Sequence, residues 1–172
     1  MKYATKLSLN IDTSSLREED LTRHQMYFRP QKYSRNHTGF PVPSFTLGID
    51  NGDEFIDQLP TALLALERPS VFVLELPAVS YPSPTLPAHV DLNRTCGINV
   101  YLEANGEVTN FYTWDQETKT ATFDEHFCSD VGEAWLMNTT VPHEVKMITM
   151  KRRRALTFSF TKAKYEEVLG AL

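Results

Sequence analysis

His89-Val90-Asp91 places an imidazole and a carboxylate two residues apart. In an extended segment residues i and i+2 point the same way, so both side chains can reach one ion. A third ligand has to come from elsewhere in the chain, and His143 is the best-placed candidate. It follows the turn-like stretch Asn138-Thr139-Thr140-Val141-Pro142 and precedes a strand-like run from Val145 to Met150. Two histidines and one carboxylate on one face of an ion suit Fe(II) and leave coordination positions open for other molecules. A His-x-Asp triplet alone carries little weight, and a single histidine such as His143 is more often structural. His24, His37 and His126 lack a comparable setting and read as structural.

A second signal is the run Lys151-Arg152-Arg153-Arg154, which leads directly into Ala155-Leu156-Thr157-Phe158-Ser159-Phe160. A strand entering a core does not need arginine at its inner edge unless it holds an anion there. Guanidinium pairs bidentately with carboxylate. By strand alternation Arg153 shares a face with Ala155, Thr157 and Ser159, whereas Arg152 and Arg154 share the other with Leu156, Phe158 and Phe160. The small, polar set suits a ligand pocket and the large apolar set suits packing. This selects Arg153, with Arg154 as the fallback. The competing reading of the run is a solvated turn or a phosphate-binding patch. Asn99 and Tyr101 fall on one face of the strand-like segment from Arg94 to Glu103. They either reach an anionic ligand beside the metal or belong to an ordinary half-buried strand.

The order His89-Val90-Asp91, Arg94 through Tyr101-Leu102, Gly106-Glu107-Val108-Thr109-Asn110-Phe111, His143 and Arg153-Arg154-Ala155-Leu156-Thr157 resembles the prolyl 4-hydroxylase-like branch of the Fe(II)/2-oxoglutarate-dependent oxygenases. The resemblance covers residues 87–161, about half of the chain. Two positions depart from the branch pattern: one glycine stands at 106 where many members have two, and Glu103 replaces the usual asparagine. The resemblance implies a double-stranded β-helix (a jelly roll, the cupin-like barrel) with iron near its mouth. His89, Asp91 and His143 would be the iron ligands. Arg153 and Tyr101 would bind the far carboxylate of 2-oxoglutarate, and Asn99 would line the site. The implied activity is a dioxygenase that uses Fe(II), 2-oxoglutarate and dioxygen to hydroxylate a small-molecule or peptide substrate, such as an amino-acid or peptidyl side chain. The alternative is a cupin-like metal-binding protein that does not use 2-oxoglutarate.

The surrounding sequence supplies elements to position these residues. The 172 residues suit one domain, with 41% apolar and 23% charged side chains. The net charge of −5 counts against nucleic acid or an anionic membrane as a partner of the whole molecule. No apolar run approaches a membrane span, and Met1 to Lys6 lacks the apolar stretch of a signal peptide. Cys96 and Cys128 therefore read as reduced thiols in a cytoplasmic protein. The expected outline is mainly β with N-terminal helices: residues 1–68 as a helical and loop portion, and 69–161 as the barrel core. A first strand is expected within residues 2–10. A capping box at Ser15-Leu16-Arg17-Glu18 predicts a helix towards Tyr27, a second helix follows Asp50 or Asn51, and Thr61 to Glu67 has helical composition. Strands are expected at 71–76, 96–104, 107–114, 119–124, 133–138, 144–150 and 154–161, with a short helix from Tyr165. Residues 28–46 and 77–88 are proline-rich and read as extended loops that carry substrate recognition. Tyr81, eight positions before His89, is the residue expected to line the site from the second loop.

Overall fold

The structure is a computed structural model and describes residues 1–27, 43–78, 85–146, 149 and 151–172. Among the described residues, eleven strands and three short α-helices follow one another in the order β1 (Ala4–Leu7), β2 (Leu21–Tyr27), β3 (Pro43–Ile49), α1 (Gly52–Ile56), α2 (Thr61–Leu66), β4 (Ser70–Leu76), β5 (Thr85–His89), β6 (Cys96–Glu103), β7 (Val108–Asp115), β8 (Thr120–Cys128), β9 (Ala134–Asn138), β10 (His143–Lys146), β11 (Arg153–Phe160) and α3 (Tyr165–Gly170). They form a seven-stranded sheet in the order β1-β9-β6-β11-β4-β3-β2 and a four-stranded sheet in the order β5-β10-β7-β8. Every pairing is antiparallel. The mainly β outline and the strands from β6 onward fall where the sequence pattern puts them, whereas β5 lies largely within the stretch 77–88 read as an extended loop. The two sheets are open rather than closed into a barrel.

β11 lies at the centre of the larger sheet and is buried along its whole length. Its alternation separates two cores. Leu156, Phe158 and Phe160 join Val73, Ile98 and Val100 in a cluster completed by Phe55, Ile56, Leu63 and Val168 from the helices. The helices therefore cover the outer face of this sheet. Gly52 permits the contact: a Cβ there would lie 2.6 Å from Val71 Cγ1, so α1 reaches β4 only with glycine. Ala155 points the other way and packs with Tyr101, Trp135 and Met137 against Phe111 and Phe127 of the four-stranded sheet. The rings of Phe127 and Trp135 stack across the interface with centroids 4.1 Å apart.

The N-terminal expectation requires correction. Residues 1–68 are not a helical portion set on a separate barrel, because β1, β2 and β3 belong to the large sheet itself. The helix predicted from Ser15 is a single 3-10 turn, Glu18–Asp20, followed by β2. The capping-box signal is local. It was overridden by seven residue pairings that β2 makes with β3, from Leu21↔Ile49 to Tyr27↔Pro43. β3 likewise begins inside the stretch read as loop, at Pro43. Asn51 does precede a helix, α1, and α2 falls in the segment of helical composition from Thr61, as expected.

The end of β11 is tied to α2 by one carboxylate. Glu67 accepts hydrogen bonds from the backbone N–H groups of Thr161 (3.0 Å), Lys162 (2.9 Å) and Ala163 (2.9 Å), and from the Thr161 hydroxyl (2.7 Å). Burial opposes its ionisation, but these donors outweigh it and bring the carboxyl down to about 2. The folded-state value is depressed, so the stabilisation is complete above the ordinary value of 4.5 and is lost as pH falls towards 2. Glu67→Ala should lower stability by about 1–2 kcal/mol at neutral pH, after allowance for solvent screening. Urea unfolding of the two proteins should converge as the pH is taken from neutral to 3. An undiminished difference at pH 3 would exclude this role.

Candidate metal centre

The site lies where β5 ends and β10 begins. His89 and His143 are register partners across this antiparallel pair, which brings their rings to 4.5 Å between centroids. Both are 3% exposed. Each ring nitrogen Nδ1 lies against a backbone carbonyl two residues earlier, His89 on Pro87 O (2.7 Å) and His143 on Val141 O (2.9 Å). A carbonyl only accepts, so both Nδ1 atoms carry the proton and both Nε2 atoms keep a lone pair for a metal. Burial, then the neighbouring His89, lowers the His143 value to about 4, so its ring is neutral at physiological pH and ready to ligate.

Asp91 supplies the negative charge. Its Oδ1 lies 3.5 Å from His89 Nε2, and donor atoms of His89, Asp91 and His143 all lie within 4.8 Å of one another. Burial opposes its ionisation. The guanidinium of Arg94 foremost, with the neighbouring rings of His89 and His143, outweighs that and holds it well below the usual carboxylate range. Arg94 Nε donates to Asp91 Oδ2 at 2.5 Å, leaving Oδ1 turned towards the histidines. The loop is pinned as well: Asp91 N–H donates to Thr139 O (3.0 Å), and the Thr139 hydroxyl donates to Arg94 O (3.1 Å). Phe111, the register partner of His143 in β7, shields the site with its ring 5.9 Å from the imidazole.

The three arginines separate by face. Arg153 is buried on the face turned to the four-stranded sheet. Its Nη2 donates to the Tyr101 hydroxyl at 3.0 Å, and its guanidinium carbon lies 4.9 Å from the Tyr101 ring centre. Arg154 turns the opposite way and pairs with Glu75 and Glu18. Arg152 pairs with Glu103. Asn99 is buried opposite Thr157 in the β6–β11 ladder with its amide engaged: Thr157 Oγ1 donates to its Oδ1 at 2.9 Å, and its Nδ2 lies 3.0 Å from Met137 Sδ. Tyr81 lies outside the described residues.

Two residues near these groups went unassigned in the sequence reading. By its position Arg94 reads only as the start of a strand-like segment, although an arginine three residues after a carboxylate can close back on it. Glu107 is 2% exposed, and its Oε1 lies 2.9 Å from Arg153 Nε. The signal for it was an acidic residue in the first inward position after the turn glycine Gly106, whose φ is +79°.

No protein-family model and no curated protein matches the chain. Solved structures do. A Burkholderia pseudomallei oxidoreductase of the 2OG-Fe(II) oxygenase family superposes with a TM-score of 0.51 at 10% identity, covering 95% of this chain and 87% of that one. The chain has the fold of a 2OG-Fe(II) oxygenase. Two further structures are similar more loosely. AviO1 from Streptomyces viridochromogenes Tue57 gives a TM-score of 0.44 at 11% identity over 88% of this chain and 78% of its own. A bsmA homologue from Methylobium petroleophilum PM1 gives 0.40 at 12% identity over 91% and 80%.

The geometry separates ligands from support. His143→Ala and Asp91→Ala should abolish Fe(II) binding in anaerobic titrations. Arg94→Met should leave the three ligands in place but weaken binding by roughly 10–100-fold, the usual effect of removing a group that orients a ligand. Parent-like Fe(II) affinity in Asp91→Ala would exclude the carboxylate as a ligand.

Proposed function

We propose that this protein is an Fe(II)/2-oxoglutarate-dependent dioxygenase that hydroxylates an amino-acid or peptidyl side chain or a comparable small molecule. The observation that carries the reading is the convergence of His89, Asp91 and His143, with both imidazoles held in the metal-binding tautomer. The facing open sheets are read as the two walls of a double-stranded β-helix, with the metal at one end of the space between them.

The donor set fits the group. Two neutral imidazoles and one carboxylate are the facial set that suits Fe(II) and leaves positions for other ligands. Bound there, iron with 2-oxoglutarate and dioxygen supplies the oxidising step, giving succinate, carbon dioxide and a hydroxylated substrate. The chain's own groups orient and shield. Asp91 offsets the ion's charge and Arg94 fixes its carboxylate. Phe111 keeps water from one flank. Arg153 with Tyr101 receives the far carboxylate of 2-oxoglutarate. A fit is visible at Arg153 too: its Nε is buried without an aligned acceptor, and a buried donor in that state costs about 1–3 kcal/mol until something satisfies it.

The arginine run reads as part of this site rather than as a nucleic-acid patch, since each of its arginines faces a carboxylate of the chain. The cytoplasmic setting expected from the sequence is part of the same proposal. Among the described residues no helix is long and apolar enough to cross a membrane. One observation favours the second reading, a cupin-like metal protein that does not use 2-oxoglutarate: Glu107 already stands beside Arg153.

Anaerobic Fe(II) titration with and without 2-oxoglutarate tests the proposal, read by the metal-to-ligand charge-transfer absorption of the chelate. The band should appear only with both present. Arg153→Leu should weaken 2-oxoglutarate by about 2 kcal/mol or more, the loss of a buried charged partner. Arg154→Leu should spare the band and instead lower thermal stability, because the buried Glu75 would lose a close partner. Iron binding with no band at saturating 2-oxoglutarate would favour the second reading.

A further inference from the structure

Resting on the 2-oxoglutarate reading, we infer that Glu107 is a specificity-determining residue, which sets how much negative charge the tail of the 2-oxo acid can carry. The side chains of Arg153 and Glu107 are 3% and 1% exposed. Nε and Oε1 approach to 2.9 Å, yet neither atom has a hydrogen-bond partner, so the contact is an ion pair without alignment. The other carboxylate oxygen is well held: Glu107 Oε2 accepts the Asn105 N–H at 2.7 Å across the Gly106 turn. Glu107 is therefore anchored to the β6–β7 hairpin and leans on the guanidinium from one side, while the Tyr101 hydroxyl takes Nη2.

Among the described residues, the two neighbouring arginines are committed elsewhere. Arg152 pairs with Glu103, and Arg154 lies on the opposite face with Glu75 and Glu18. The pocket around Arg153 thus starts near neutrality instead of at +1. A second carboxylate arriving at the same guanidinium makes two like charges at one buried cation, which is costly where water is excluded. To admit it, Glu107 must withdraw from Nε or take up a proton. A 2-oxo acid with an uncharged tail meets no such cost. The consequence is a site with weakened preference for the dicarboxylate over a neutral-tailed analogue.

The test compares 2-oxoglutarate with 2-oxopentanoate, which has the same five-carbon length without the far carboxylate. Affinities are read from the charge-transfer band under anaerobic Fe(II), in the parent and in Glu107→Gln. The glutamine keeps the acceptor for Asn105 N–H and removes the charge. Glu107→Gln should tighten 2-oxoglutarate by about tenfold, equivalent to ~1.4 kcal/mol, and change 2-oxopentanoate less than threefold. Unchanged or weaker 2-oxoglutarate binding in the variant would mean that Glu107 only positions Arg153, and would overturn the inference. The parent supplies a second measurement that does not depend on the variant folding: its preference for 2-oxoglutarate over 2-oxopentanoate should be less than tenfold, and a preference above a hundredfold would equally overturn it. Bound iron with no band from either acid in either protein is a different failure, that of the 2-oxoglutarate reading itself.

Discussion

The antiparallel pairing of β5 with β10 is the constraint on which the candidate site depends. It sets His143 opposite His89 at the ends of two short strands, and no contact between residues this far apart in sequence could do so without the ladder. Both histidines then find a backbone carbonyl for Nδ1 within their own segments. The same pairing forces Asp91 just past the end of β5, where the chain leaves the sheet. A loop carboxylate would wander unless tied, and Thr139 and Arg94 tie it. The candidate ligand set is held in place for the ordinary reason that its members hang on a hydrogen-bonded sheet and on one well-anchored turn.

Charge is distributed by the two faces of β11. Consecutive arginines at the start of a fully buried strand would be untenable if their charges went unmatched, since a buried ion without a partner is among the costliest features of a core. The strand answers by alternation. Arg154 goes outward to Glu75 and Glu18, where Arg23 also reaches Glu75. Arg153 goes inward to Tyr101 and Glu107. The outward pairs help join β2, β4 and β11 and the turn before β2. The inward one is incompletely aligned, and the inward one lies on the face that carries the candidate chemistry.

The N-terminal third shows how sheet edges capture sequence. β2 carries Leu21, Arg23 and Gln25 alternating with Thr22 and His24, a pattern with no strong apolar stripe of either period. Left alone, a capping box could nucleate a helix there. Next to β3 each residue of the strand finds a register partner, and the local preference of one cap, on the order of 1 kcal/mol, cannot compete.

The candidate residues at 89, 91, 143 and 153, and their order along the chain, were legible in the sequence because a metal or anion site would demand particular chemistry at particular positions. So were the later strands, whose apolar alternation is local, and the two-faced character of β11. Alternation sends Arg153 and Arg154 to opposite faces whatever the fold, but only the tertiary structure showed that Arg153 is the one turned to Tyr101 and Glu107. What the sequence left open were matters of non-local pairing. Only the tertiary structure decided that residues 4–7, 21–27 and 43–49 extend the large sheet, because the partners that make them strands lie far along the chain. Only the tertiary structure brought Arg94 onto Asp91 and Glu107 against Arg153, because a carboxylate's partner is chosen by what burial places within about 3 Å of it, and sequence spacing carries no such distance.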